Sequence, residues 1–141
     1  MPVENATPAQ RRAVIKRAKS RCEYCHSPAR FSLGPFAVDH VVPKARGGKA
    51  KLNNLAFACS GCNSHKHAKV SGLDPLTGKW RRLFNPRRQR WTDHFAWNED
   101  GTLLIGLTNN GRATIEALCL NREELVNLRE AFRLLKLHPL E

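Results

Sequence analysis

Four of the five cysteines occur in two closely spaced pairs, and cysteine thiolates are good zinc ligands. The pairs are Cys22-Glu-Tyr-Cys25 and Cys59-Ser-Gly-Cys62, with 33 residues between them. Each tight turn directs two thiolates toward one centre, so the pattern predicts a structural four-cysteine zinc site with no open position for chemistry. Disulfides are the alternative, but the odd fifth cysteine, Cys119, would be a hazard in an oxidising compartment. Cys119 lies in an apolar stretch and is expected to be buried.

Positive charge is concentrated in the first two thirds of the chain. Lys and Arg number 24 against 12 Asp and Glu, a formal net charge of +12. Residues 1–90 hold 19 basic and four acidic groups, a net of +15, whereas residues 91–141 carry a net of −3. A field this uneven attracts a polyanion, so nucleic acid is the expected partner. A surface kept basic for solubility is the alternative.

A carboxylate and an imidazole stand side by side between the cysteine pairs, at Asp39 and His40. An imidazole has an unperturbed pKa of about 6.5, which positive surroundings lower, so His40 is expected to be a neutral base at pH 7. General-base help of about 10²- to 10⁴-fold is too little for phosphodiester hydrolysis. A cation must then stabilise the transition state, and Asp39 is its natural first ligand. In isolation, His40 would be interpreted as a hydrogen-bonded core histidine; its position beside Asp39 and between the cysteine pairs favours catalysis.

The order of these motifs resembles the HNH endonuclease family. The shared positions are Val38-Asp39-His40, Asn53-Asn54-Leu55, and the second cysteine pair followed by Asn63 and Lys66. The resemblance covers Cys22–Lys66, which is 45 of the 141 residues. It implies a ββα-metal core, with the Asp-His pair on the first strand, and metal-dependent cleavage of DNA. Several members of the family carry the same two zinc knuckles.

The resemblance also implies a role for each side chain. His40 is expected to be the general base, while Asp39 and Asn63 hold a single Mg²⁺ or Mn²⁺ ion. Asn54 is expected to orient His40 through a hydrogen bond. Because neighbours on a strand point to opposite faces, Asp39 and His40 can serve one site only at a local twist or a strand end. Lys66, together with the helix N-terminus, is expected to hold a phosphate.

Two of these assignments have alternatives. The commonest family pattern has His where this chain has Asn63, and the exchange removes a nitrogen ligand, so we expect reliance on Mg²⁺ or Mn²⁺. Asn63 could instead be only a helix-start residue, and His65 or His67 could replace it as a ligand. Asn53 is an alternative to Asn54, which could itself be only a turn residue.

Two basic segments with interleaved aromatic residues extend the expected nucleic-acid surface. Lys79-Trp-Arg-Arg82 and Arg87-Arg-Gln-Arg90-Trp91 place six basic residues within twelve positions. Basic groups there are expected to contact phosphate, and the aromatic rings to pack beneath them rather than stack on bases. Together with Lys66, the expected nucleic-acid contacts are Lys44, Arg46, Arg81, Arg82, Arg87, Arg88 and Arg90.

Helix-capping residues, hydrophobic periodicity, and the glycines and prolines that end regular structure predict the helices and strands that position these residues. A capped helix is predicted from Thr7 to about Lys19. A strand over Phe36–Val42 and a partner strand over Leu55–Ala58 are predicted on either side of a polar loop. A helix is expected to follow from Ser60 or Cys62 to near Gly72.

After a turn at Asp74–Gly78, the pattern predicts a hairpin of Trp91–Trp97 with Thr102–Leu107 and a short helix over Arg112–Ala117. Asn121-Arg-Glu-Glu resembles a capping box that begins a final amphipathic helix, which is expected to end near His138-Pro139. The predicted apolar face of that helix consists of Leu125, Leu128, Phe132 and Leu135.

These observations predict one α+β domain, with a zinc-stapled nuclease core at residues 1–73 and a C-terminal extension at residues 74–141 packed on it. The predicted activity is DNA endonuclease; a non-catalytic zinc module that binds DNA and an RNA-directed nuclease are the alternatives. With no apolar run of about 18 residues and no signal-like segment at Met1–Asn5, we expect no membrane span and a cytoplasmic location. A monomer and a homodimer are both compatible with the sequence.

Overall fold

The computed structural model describes residues 5–139, so most of the Met1–Asn5 segment lies outside the described residues. The chain divides into two compact units. The first comprises the chain up to Val70 together with Asn85–Gln89, and the second comprises Ser71–Phe84 and the chain from Arg90 onward. Each unit combines helices with strands, which confirms the predicted α+β class. None of the helices among residues 5–139 has the length and apolarity needed to cross a bilayer.

The first unit begins with helix α1, Pro8–Arg17. The Thr7 hydroxyl accepts a hydrogen bond from the Gln10 amide, and the Gln10 side chain accepts one from the Thr7 amide, which confirms the predicted capping box. The helix ends at Arg17, before the predicted Lys19, because Lys19 has a positive φ of 55°.

Basic side chains of α1 attach the helix to the rest of the first unit. Arg11 Nη2 donates to the Phe36 carbonyl at 3.0 Å. Arg17 donates to the carbonyls of Leu52 at 2.9 Å and Leu55 at 2.5 Å. These two arginines therefore satisfy backbone carbonyls at or near the ends of β1 and β2.

Two antiparallel strands and a helix form the centre of the first unit, in the predicted order. Strand β1, Ala37–His40, pairs with β2, Leu55–Ala58, and helix α2, Ser60–Lys66, follows. All four residues of β2 are buried. The helix ends at Lys66 rather than near Gly72, because the next residue, His67, has a positive φ of 46°.

The loop between β1 and β2 is shaped by two short 3₁₀ turns, Lys44–Arg46 and Leu52–Asn54. Gly47 ends the first turn in the left-handed region at φ 88°. A Cβ on Gly48 would lie 1.7 Å from the Val42 carbonyl oxygen, so only glycine permits this approach of the two backbone segments.

The described part of the second unit consists of two hairpins and three helices. The predicted turn at Asp74–Gly78 joins β3 to β4, and the predicted hairpin near residue 100 is confirmed with shorter strands. The elements are β3 (Ser71–Asp74), β4 (Lys79–Arg82), α3 (Trp91–His94), β5 (Phe95–Trp97), β6 (Leu104–Gly106), α4 (Asn109–Leu118) and α5 (Glu123–Leu134).

Four expectations for the last helices are wrong. Helix α5 ends at Leu134 and not near His138-Pro139. Arg122, not Asn121, is the N-cap of α5, and the Asn121 carboxamide instead pairs with both backbone groups of Leu104 at 2.8 and 2.9 Å. Leu135 lies beyond the end of α5 and is 67% exposed, so it is not part of the apolar face. Cys119 is exposed because it ends α4 in the left-handed conformation.

Candidate active site and metal centre

The four paired cysteines come together in the first unit, as their spacing predicts. Their sulfur atoms all lie within 4.8 Å of one another, and the Cys25 and Cys59 Sγ atoms are 3.7 Å apart. A tetrahedral zinc ion with Zn–S bonds of about 2.3 Å requires sulfur atoms about 3.8 Å apart. All four residues are buried, so the cluster has the donor set and the spacing of a closed metal site.

Backbone amides within each turn point at the sulfur atoms. The Cys25 amide donates to Cys22 Sγ and the Cys62 amide donates to Cys59 Sγ, both at 3.4 Å. Hydrogen bonds from Cys22 and the other thiols lower the pKa of Cys59, whereas burial raises the pKa of Cys22. A divalent cation is the partner that would keep all four groups as thiolates.

The first cysteine turn is held against β2 by the residue inside it. The Glu23 amide donates to the Phe57 carbonyl at 2.8 Å, and the Glu23 carboxylate accepts from the Phe57 amide at 2.7 Å. The Arg87 guanidinium forms an ion pair with the same carboxylate. Burial, followed by repulsion from Arg17, lowers the pKa of Arg87 to about 10. Arg87 is therefore part of the metal-site scaffold.

Asp39 lies buried next to this scaffold, with two partners from distant parts of the chain. Tyr24 Oη donates to Asp39 Oδ2 at 2.8 Å. Lys66 Nζ lies 3.2 Å from Oδ1 and 3.1 Å from Oδ2. Burial raises the pKa of Asp39, and the charge of Lys66 and the Tyr24 hydrogen bond oppose that shift. The pair is almost fully shielded from water, with side-chain exposures of 2% for Lys66 and 6% for Asp39.

Lys66 is placed differently from the phosphate-binding residue that the sequence predicts. Its ammonium group also donates to the His40 carbonyl at 3.0 Å, so it ties the end of α2 to both residues of the Asp-His pair. A lysine that is 1% exposed in this way does not present its charge to a phosphate in solvent. The sequence reasoning also missed Tyr24, whose only signal was its position inside the Cys22-x-x-Cys25 turn.

His40 is the last residue of β1 and is 8% exposed. It pairs with Leu55 across the hairpin, and Asp39 pairs with Ala56. The expected strand end is therefore present at His40, which allows the backbone to turn after it.

Asn63 lies in the α2 turn that leads to Lys66. Its amide donates to the Cys59 carbonyl at 2.9 Å, which anchors it one turn after the second cysteine pair begins. Residues three apart are neighbours on a helix surface, so Asn63 lies beside Lys66, whose side chain reaches Asp39. Asn63 is partly exposed, whereas His65 and His67 are both exposed.

Asn54 closes the loop that follows His40. Its side-chain oxygen accepts from the Val42 amide at 2.9 Å, and its side-chain nitrogen donates to the carbonyls of Val42 at 3.1 Å and Lys49 at 3.0 Å. The Val41 amide donates to the Asn54 carbonyl at 2.9 Å. Asn54 therefore fixes the two residues after His40 through their backbone. Asn53, the alternative, is exposed.

The remaining predicted nucleic-acid contacts are divided between the two units. In the first unit, Arg46 Nε donates to the Ala68 carbonyl at 3.1 Å, and Lys44 contacts the Asn5 side chain. Arg81 is only partly exposed. The exposed members are Lys44, Arg46 and Arg88 in the first unit and Arg82 and Arg90 in the second.

One comparison with known protein families matches the segment that contains the cysteine cluster and the Asp-His pair. The family model of the HNH endonucleases matches residues 22–69, which include both cysteine pairs, the Asp-His pair and helix α2. The resemblance seen in the sequence is thereby confirmed for this segment. No curated protein matches the chain.

Proposed function

We propose that the chain is a metal-dependent endonuclease that hydrolyses phosphodiester bonds of DNA. The observation that carries the proposal is the placement of Asp39 and His40 at the end of a strand, packed against a helix that begins at the cysteine cluster. The match of residues 22–69 to the HNH endonucleases supports the same activity. The excess of basic residues supports an anionic substrate.

His40 is the proposed general base, which would take the proton of the attacking water on its imidazole nitrogen. Asp39 and Asn63 are the proposed ligands of one Mg²⁺ or Mn²⁺ ion, which would supply charge stabilisation at the scissile phosphate. The donors fit a hard ion, because both are oxygen ligands. Tyr24 and Lys66 use only part of the lone-pair capacity of Asp39, so a carboxylate position remains for an ion.

Two residues are proposed to position the others. Lys66 serves as the buried counter-ion that holds the Asp39 carboxylate and the His40 carbonyl, in place of the phosphate contact implied by the resemblance. Asn54 acts on His40 through the loop backbone at Val42. The cysteine cluster is proposed to bind one structural zinc ion, and the exposed arginines and lysines to contact phosphates.

A non-catalytic zinc module that binds DNA is the second candidate. The observation in its favour is that Lys66 and Tyr24 both bind the Asp39 carboxylate. The same two contacts would stabilise a carboxylate whose role is purely structural. The division into a nuclease core at residues 1–73 and an extension at residues 74–141 is part of this proposal. A truncation cannot test it directly, because Asn85–Gln89 belong to the first compact unit.

A plasmid-nicking assay separates the two candidates. The zinc-loaded protein should nick supercoiled DNA with Mg²⁺ or Mn²⁺, and His40→Ala should lower the rate by at least about 100-fold while DNA binding is kept. His65→Ala should cut at the parental rate, because His65 is exposed on α2; a loss of cleavage in that variant would give the ligand role to His65 in place of Asn63. If the parent protein binds DNA but does not cut it with any divalent ion, the proposed endonuclease activity is wrong. A parallel RNA substrate tests the third alternative.

A further inference from the structure

The hairpin of β3 and β4 has an inner face, which packs against α4 of the same unit, and an exposed outer face. On the inner face, a Cβ on Gly72 would lie 2.6 Å from the Ala113 carbonyl oxygen of α4. The Asp74 carboxylate accepts hydrogen bonds from Arg112 Nε at 2.9 Å and Arg112 Nη2 at 3.0 Å. The outer face carries Trp80 and its cross-strand partner Leu73. The inner contacts hold the hairpin in place, so the outer face is a fixed surface.

Trp80 differs from the other two tryptophans of this unit. Its side chain is 69% exposed, whereas the Trp91 ring packs against Phe95 and Trp97 with centroids 5.2 and 5.8 Å apart. The predicted packing of the aromatic residues beneath the charges is therefore not found for Trp80. An indole adds little to folding when it is left in water, and its open face is available for stacking.

The charge around Trp80 indicates what would stack on it. Arg82 is exposed on the same face of the strand, two residues after Trp80. The one acid of the hairpin, Asp74, is neutralised by Arg112. The outer face therefore combines an aromatic platform with uncompensated positive charge. That combination is complementary to a strand with planar bases and a phosphate backbone.

We propose that this face binds a single-stranded segment of DNA, with an unpaired base stacked on Trp80 and a phosphate beside Arg82. A duplex covers the faces of its bases, so an indole can stack only on a base that is unpaired or extruded. The inference rests on the proposed function for taking DNA as the partner; it does not depend on catalysis.

Anisotropy titrations with labelled 20-nucleotide probes test the proposal in the zinc-loaded full chain without added Mg²⁺. The probes are a thymine strand, the same strand with abasic sites, and a duplex. Trp80→Ala should weaken binding of the thymine strand about 10-fold and leave the abasic strand and the duplex unchanged. Trp80→Phe should recover most of the loss. Ile105→Ala, an exposed apolar residue on β6, is the matched control and should change nothing.

The outcomes distinguish this proposal from the proposed activity. Equal losses for thymine and abasic strands, or no loss at all, would overturn the stacking of a base on Trp80, even if the parent protein cuts DNA. Selective loss on the thymine strand would support it, even if the parent never cuts. Arg82→Ala should weaken all three probes and reduce the slope of log affinity against log salt by about 1. Circular dichroism of each variant confirms that the fold is kept.

Discussion

Tyr24 Oη lies 2.8 Å from Asp39 Oδ2, and this hydrogen bond joins the first cysteine turn to the proposed catalytic strand. Tyr24 is 1% exposed, so the bond is shielded from water. Because Tyr24 lies between two cysteines of the cluster, the position of the carboxylate depends directly on the conformation of that turn. Binding of the proposed structural ion by Cys22 and Cys25 is therefore expected to affect the position of Asp39 through Tyr24.

Tyr24→Phe removes the donor and leaves the ring. Hydrogen bonds to charged groups are worth about 1.5–3 kcal/mol, so the free energy of unfolding should fall by about that amount. The cleavage rate should fall as well, because the carboxylate loses one of its two fixed partners. Urea denaturation and plasmid nicking measure the two effects. A variant with parental stability would show that the bond contributes nothing.

Lys66→Met leaves the buried Asp39 carboxylate without its cationic partner. Breaking a buried ion pair on one side costs about 3–5 kcal/mol, whereas replacing both members is much less harmful. The double variant Asp39→Asn with Lys66→Met should therefore unfold at a higher denaturant concentration than Lys66→Met alone. Lys69→Met is the control, because Lys69 is exposed. Similar midpoints for Lys66→Met and Lys69→Met would contradict the pairing.

Removal of zinc should unfold the first unit. Zinc binding contributes about 10–16 kcal/mol in zinc-finger peptides, which rivals the whole stability of a domain. We expect one zinc ion per chain by elemental analysis, and loss of helical circular dichroism on strong chelation. Cys62→Ser should reproduce that loss, whereas Cys119→Ser should retain the metal, because Cys119 is exposed and lies outside the cluster. A metal-free protein with an unchanged spectrum would rule out the structural role.

The local elements of the first unit were predictable, because their signals are close together in sequence. The Thr7 cap, the two strands and the start of α2 each depend on neighbouring residues. The partners of Asp39 were not predictable in this way, because Tyr24 and Lys66 lie 15 and 27 residues from it. A pattern of neighbouring residues in the sequence does not indicate which distant donors will form hydrogen bonds with a buried carboxylate.

The same limit explains the incorrect cap of the last helix. Asn121 has the residue type and spacing of a cap, but its carboxamide satisfies both backbone groups of Leu104 on an edge of β6. A strand 17 residues earlier thus competes successfully for a side chain that local rules assign to the helix. Arg122 takes the cap position with no side-chain hydrogen bond.

Acid should destabilise the second unit through Asp74. The hydrogen bond from Arg112 holds the pKa of Asp74 well below its usual range. A carboxylate with a depressed native pKa stabilises the fold above its unfolded pKa of about 3.9, and that stability is lost as the pH falls toward the native pKa. Asp74→Asn should therefore lower Tm at pH 7, with a difference from the parent that shrinks below about pH 4. Asp93→Asn, an exposed control, should show no such pH-dependent difference.

Asn54→Ala should separate positioning of His40 from substrate binding. The substitution removes three side-chain hydrogen bonds to the backbone of Val42 and Lys49, so the loop after His40 loses its closure. We expect kcat to fall about 10- to 100-fold, since small misplacements of a catalytic group have effects of this size, while KM changes little. Asn53→Ala is the matched control, because Asn53 is the adjacent, exposed asparagine. Equal effects of the two substitutions, or a change confined to KM, would show that Asn54 does not position the general base.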